Sequence, residues 1–205
     1  GGVTARDDFL PVFDPRTYNS TGALWTSCPH GSVVPLVITP KKLLEAGMDL
    51  ARKKGAPADA IRPILTKLVK AMHGVIRQSG GPPETAGALI QLAYEESARS
   101  GGIDGNMVTA ISAIIDAVGE LPIARTNAFY DDAELEKSGT GALLSIAIDP
   151  DACRSPRLIH EACGRRGVRL VERTQIEVEK ARRIWTLWQS LPDVSAGTID
   201  RVAEH

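Results

Sequence analysis

The chain has 205 residues, of which 43% are apolar, 24% charged and 4% aromatic. This is enough mass for one domain around an aliphatic, alanine-rich core, while three cysteines exclude a disulfide-built scaffold. The net charge of −1 hides a sorted pattern: residues 1–40 carry −1, 41–80 carry +6, 81–152 carry −9, 153–183 carry +5 and the remainder −2, so the chain can meet a polyanion or its own copies, plus against minus.

In chain order, Phe9–Phe13, Ala23–Thr26 and Val33–Ile38 read as short strands separated by Pro, Gly, Asn and Ser. Thr39-Pro40 is an N-cap and first-turn pair that opens a helix ending at Gly55. Ile61, Ile64, Leu65, Leu68, Val69, Met72, Val75 and Ile76 recur at three- and four-residue spacing. That stripe predicts an amphipathic helix from near Ala60, with Lys67, Lys70 and Arg77 off it. Ser79-Gly80-Gly81-Pro82-Pro83 breaks the chain, a third helix spans 84–100, and Gly101-Gly102 breaks it again. A fourth helix runs over 105–118 and stops at Gly119. Four helices with short connections make a bundle-like unit.

After Pro122 the pattern changes. Leu143–Ile148 reads as a buried strand, Ser155-Pro156 opens a helix ending at Gly164, and 168–171 reads as a second strand. Strand, helix and strand predict a βαβ crossover with a parallel pair over 142–172. Thr174 and Glu177 form a capping box before a last helix, whose stripe is Ala181, Ile184, Trp185, Trp188 and Leu191. The predicted class is α+β in a single domain: a β-rich block 1–39, a helical block 40–121 and a mixed block 122–205, with the two flanks able to share a sheet. Asn19-Ser20-Thr21 is a formal glycosylation sequon. Gly1-Gly2 and His205 read as native ends of a processed product or as remnants of a tag. The cysteine usage, with no leader or spanning run in view, predicts a reducing, intracellular setting, in the cytoplasm or within an assembled particle.

Asp149 and Asp151 follow one strand and precede a helix, an oxygen-ligand pair suited to Mg²⁺. Residues Leu143 to Val171, with this Asp-x-Asp between strand and helix, loosely resemble the metal-binding half of a Toprim domain. That resemblance implies a Mg²⁺-dependent enzyme acting on nucleic acid. The upstream catalytic Glu and the glycine usual after the second Asp have no counterpart here. Cys28 and His30, with His160 and Cys163, make a soft-ligand set of zinc type. The order Cys28 then His160 is similar to that of papain-like proteases, which implies a thiol hydrolase. Pro29 and the helical setting of His160 depart from that family.

The basic C-terminal segment is the strongest binding candidate. Arg165, Arg166, Arg169 and Arg173 are suited to bidentate phosphate contact, and Lys67 and Lys70 form a second patch. The leading expectation is a non-catalytic binding and assembly protein without a cofactor. It self-associates and contacts RNA or DNA, in a coat, matrix or nucleoprotein-like role. The Mg²⁺ enzyme and the zinc or thiol hydrolase are the alternatives. His73 and Tyr94 read as packing or surface residues.

Overall fold

The computed structural model describes residues 8–18, 22–78, 81–99 and 104–192. The sequon at Asn19-Ser20-Thr21, the breaks at Ser79-Gly80 and Gly101-Gly102, and the termini Gly1-Gly2 and His205 lie outside the described residues. Among those described there are eight helices and four strands in two small sheets, an α+β architecture. None of the helices is long and apolar enough to cross a membrane. The chain divides into two compact units, one of residues 37–144 and one of 1–36 with 145–205.

The unit of residues 37–144 is helical. Thr39 caps α2 (Pro40–Lys53) by accepting the Lys42 N–H, and the chain leaves it through Gly55 at φ +81°. The predicted start near Ala60 is not α-helical: Ala58–Ile64 is a 3₁₀ helix with Pro63 inside it. Proline has no N–H to give and its ring crowds the carbonyl four residues back, so α3 begins at Leu65 and runs to Arg77. Thr85 caps α4 (Ala86–Ala98) and Asp104 caps α5 (Gly105–Val118).

Helix α3 packs on α4, and α5 packs on both α2 and α4. Leu44, Leu68, Met72, Ile76, Leu89, Ile90, Ile111 and Ile114 form the aliphatic core. Gly47 of α2 sets how closely α5 approaches, because a Cβ there would lie 2.7 Å from Ile114 Cγ2. A π-helical turn, Asn127–Asp131, capped by Thr126, leads into α6 (Asp132–Glu136).

In the other unit, β1 (Phe9–Phe13) pairs antiparallel with β4 (Val168–Glu172), with Leu10 opposite Val171 and Phe13 opposite Val168. The N- and C-terminal flanks therefore do share a sheet. The expected parallel pair does not form. β3 (Leu143–Ile148) and β4 flank α7 (Pro156–Ala162) in sequence, yet β3 pairs with β2 (Val33–Ile38), in a different sheet. β1 supplies β4 with apolar partners in the antiparallel arrangement, the stronger one per residue. That result also removes the two-strand framework on which the Toprim resemblance rests. Each sheet has two strands among the described residues, with Ala124 bridging Leu144 of β3 as well, and the prolines fall on β1 and β2, which pair with one strand each: Pro11 in β1 and Pro35 in β2.

The predicted strand Ala23–Thr26 is a one-turn helix, α1, where the Gly22 carbonyl accepts both the N–H and the hydroxyl of Thr26. Helix α7 packs on β1 and β4, and α8 (Gln175–Ser190) approaches β1. Thr174 caps α8 through the Glu177 N–H.

Candidate functional site

The turn after α7 carries the basic cluster. Gly164, Arg165 and Gly167 all have positive φ, and the Arg165 N–H donates to the His160 carbonyl at 2.9 Å. This tight reversal leaves Arg165 and Arg166 exposed. Arg169 is exposed on β4, 3.5 Å from the buried Asp14 carboxylate. Arg173 is different: it is half-buried, and its guanidinium donates to the Pro150 carbonyl. It holds a turn in place and is not presented like the other three. Of the second patch, Lys67 donates to the Ser97 carbonyl at 2.9 Å, whereas Lys70 is exposed.

The carboxylate pair is engaged. Asp149 Oδ1 accepts the N–H groups of Asp151 and Ala152 at 2.8 and 3.2 Å, a side-chain cap on the turn after β3. Asp151 takes a bidentate grip from Arg182 of α8, at 2.7 and 2.8 Å. Cys28 and His30 lie after α1, whereas Cys163 is buried at the end of α7 with Tyr18 close by. No group of three or more His, Cys, Asp or Glu side chains suited to a metal ion occurs among the described residues.

Two arrangements escaped the sequence reading. The first is a thiol pair. Cys28 Sγ lies 3.1 Å from the hydroxyl of Ser32, a residue only 1% exposed, and the same hydroxyl hydrogen-bonds the Cys153 thiol. Burial pushes the Cys28 thiol up, but the Ser32 hydroxyl and the backbone N–H groups of His30, Ser32 and Val33 outweigh it and hold it below its ordinary value. Gly31, at φ +61°, bends the chain so that these groups converge on one sulfur. Cys153 is buried, and that burial raises its thiol. The Ser32 carbonyl accepts the Asp149 N–H at 2.8 Å, and the Asp149 carbonyl accepts the Cys153 N–H at 3.0 Å. Backbone bonds therefore join the two cysteine-bearing turns.

The second is a buried polar cluster in the helical unit. His73 Nδ1 meets Tyr130 Oη at 2.8 Å and lies 3.5 Å from Glu134 Oε1. Glu134 also accepts the N–H groups of Gly139 and Gly141, and Arg77 reaches its other oxygen at 3.6 Å. Arg125 lies over the Tyr130 ring and donates to Asp131 and to the Ile76 carbonyl. Desolvation lowers the His73 imidazole, against the pull of Glu134, and burial pushes Tyr130 up to about 12. At neutral pH the imidazole is uncharged, and its tautomer sets which of Nδ1 and the phenol is the donor. The spacing did carry a signal, since His73 stands four residues after Val69 and three before Ile76, on the apolar stripe.

Charge sorting survives folding of the helical unit. Lys42, Lys53, Lys54 and Lys70, on α2, its end and α3, are exposed and enter no ion pair among the described residues. The same holds for Glu96 of α4, Asp116 of α5 and Asp132 of α6. The predicted core stripe of α8 is only half covered: Ala181, Ile184, Trp185 and Trp188 remain partly exposed, and the two indoles stack with centroids 5.6 Å apart.

The class defined by these features is an α+β protein with a helical bundle and two short sheets. Comparison with protein-family models, with curated protein sequences and with solved structures finds no match.

Proposed function

We propose that the chain is a binding and assembly protein. It associates with copies of itself through oppositely charged helical faces, and it contacts RNA or DNA through Arg165 and Arg166 of the turn after α7 and Arg169 of β4. The observation that carries the reading is the exposed charge that the ion pairs of the helical unit leave over: Lys42, Lys53, Lys54 and Lys70 on α2, its end and α3, and Glu96, Asp116 and Asp132 on α4 to α6. Such a surface attracts a second copy at long range, and salt screens that attraction beyond about 8 Å at physiological ionic strength. The half-covered face of α8 adds apolar area of the kind that interfaces bury. For the polyanion, three exposed arginines on one reversal and one strand give the bidentate donors that phosphate favours.

Light scattering of the purified chain across a salt series tests the first part. Oligomers at low salt that dissociate as salt rises are expected, and Lys53→Glu with Lys54→Glu weakens them. A strict monomer at high concentration in low salt would overturn the reading. For the second part, binding to a single-stranded RNA is expected to fall with salt, with a log–log slope of roughly −0.7 per phosphate contact. Changing Arg165, Arg166 and Arg169 together to Gln removes that binding, whereas equal binding by this variant refutes the assignment.

A further inference from the structure

We propose that Cys28 and Cys153 form a peroxide-reactive site, with Cys28 as the nucleophile, Cys153 as the thiol that resolves it, and Ser32 as the hydroxyl between them. Three observations meet here. Cys28 is partly exposed and Cys153 is buried, so a small oxidant reaches the first and not the second. Both thiols bond the one Ser32 hydroxyl. Three backbone N–H groups converge on Cys28, which is held below its ordinary value, whereas the single one from Ser155 does not offset burial at Cys153, so negative charge is stabilised on the Cys28 sulfur.

A serine hydroxyl has one proton to give and lone pairs to accept with. When Cys28 is a thiolate, the Ser32 O–H donates to it and Ser32 Oγ accepts the S–H of Cys153. The two thiols are thereby given unequal roles. Cys163 is the built-in control. It is buried, its thiol is raised by burial, and it belongs to the end of α7.

The chemistry balances with hydrogen peroxide as the oxidant. The Cys28 thiolate attacks one peroxide oxygen, the S–O bond forms as the O–O bond breaks, and hydroxide leaves. Sulfur gives up two electrons and becomes a sulfenic acid. The Cys153 sulfur then attacks the Cys28 sulfur, the S–S bond forms as the S–O bond breaks, and the departing hydroxide leaves as water with the Cys153 proton. Two thiols and one peroxide give one disulfide and two waters. A disulfide needs its Cβ atoms about 3.8 Å apart. The turn Cys28-Pro29-His30-Gly31 and the turn after β3 supply the local adjustment.

The test uses the intact chain at neutral pH. In the reduced protein, Cys28 is alkylated faster than Cys163, because its sulfur is the more exposed of the two and the more readily ionised. After a peroxide pulse, peptide mapping without reductant finds Cys28 joined to Cys153 and Cys163 still free. In Cys153→Ser the disulfide is absent and the Cys28 sulfenic acid accumulates, captured by dimedone. In Ser32→Ala both the alkylation of Cys28 and its oxidation slow, because the thiolate loses the hydroxyl that donates to it. Circular dichroism of each variant establishes that it is folded, and the alkylation ratio needs no variant. Equal alkylation of Cys28 and Cys163, or a peroxide-treated chain in which Cys28 is neither joined to Cys153 nor labelled by dimedone, would overturn the proposal.

Discussion

The helical unit and the β-containing unit reach their cores by different routes. In residues 37–144 the core is contiguous in sequence: Leu44, Leu68, Leu89 and Ile114 come from successive helices, each opened by its own local signal. In the other unit β1 is completed by a strand more than 150 residues later, and Ser32 of one turn is bonded to Asp149 of another. Local capping and periodicity therefore decide the first unit, and long-range pairing decides the second. The polar groups follow the same division. The helical unit buries His73 and Tyr130 in a network of its own side chains, whereas the other unit uses Arg173 and Arg182 to fasten one distant segment to another.

The largest break in that comparison is expected from Leu68→Ala. Leu68 is fully buried, and truncation of a buried leucine costs about 2–5 kcal/mol. Hydrogen exchange should show the greatest loss of protection within 37–144; equal loss at β1 and β4 would deny the helical core its separate origin. Gly47→Ala comes next. Its new methyl meets Ile114 Cγ2, a methyl held on the branched Cβ with little freedom, so overpacking of about 1–3 kcal/mol should exceed the helix propensity gained. A raised melting temperature would mean that α5 can withdraw without penalty.

The third test concerns His73. Its imidazole is depressed by burial, so on acidification the unfolded chain binds a proton first, near pH 6.5. Stability present above that value is lost as pH falls toward the folded value. Urea unfolding of the wild type should therefore weaken between pH 7 and pH 5 more steeply than that of His73→Gln; identical pH slopes would place the imidazole outside the core network. The smallest effect belongs to the Asp149 turn. Asp149→Ala should lose about 1 kcal/mol as two backbone N–H groups lose their acceptor, Asp149→Asn should lose less, and Mg²⁺ should leave the melting temperature unchanged. A rise of several degrees with Mg²⁺ that disappears in Asp151→Asn would restore the metal reading of the pair.

What the sequence revealed follows the same line. The caps Thr39 and Thr174 and the limits of α5 at 105–118 were legible because their determinants lie within a few residues. The pairing of β4 was not, since a strand's apolar pattern says which face is buried and not which partner covers it. Ala23–Thr26 misled because four residues are too few for a period to declare itself. In the site, the exposed arginines could be foreseen from composition, but the diversion of Arg173 to the Pro150 carbonyl could not. The thiol pair joins positions 125 residues apart through a serine, and no spacing rule connects them.

The sheet of β1 and β4 also fixes an order of events at the ribosome. Phe9–Phe13 is made well before its partner Val168–Glu172, with the whole helical unit between them. At about 5–20 residues per second, roughly ten to thirty seconds pass between the two. During that interval the helical unit can close while an apolar strand waits with both edges open. Pro11 sits in the middle of that strand and offers no N–H to a passing chain. A residue that costs the finished ladder no hydrogen bond thus guards the nascent chain, and replacing it should reveal itself in the yield of folded protein more than in the stability of what has folded.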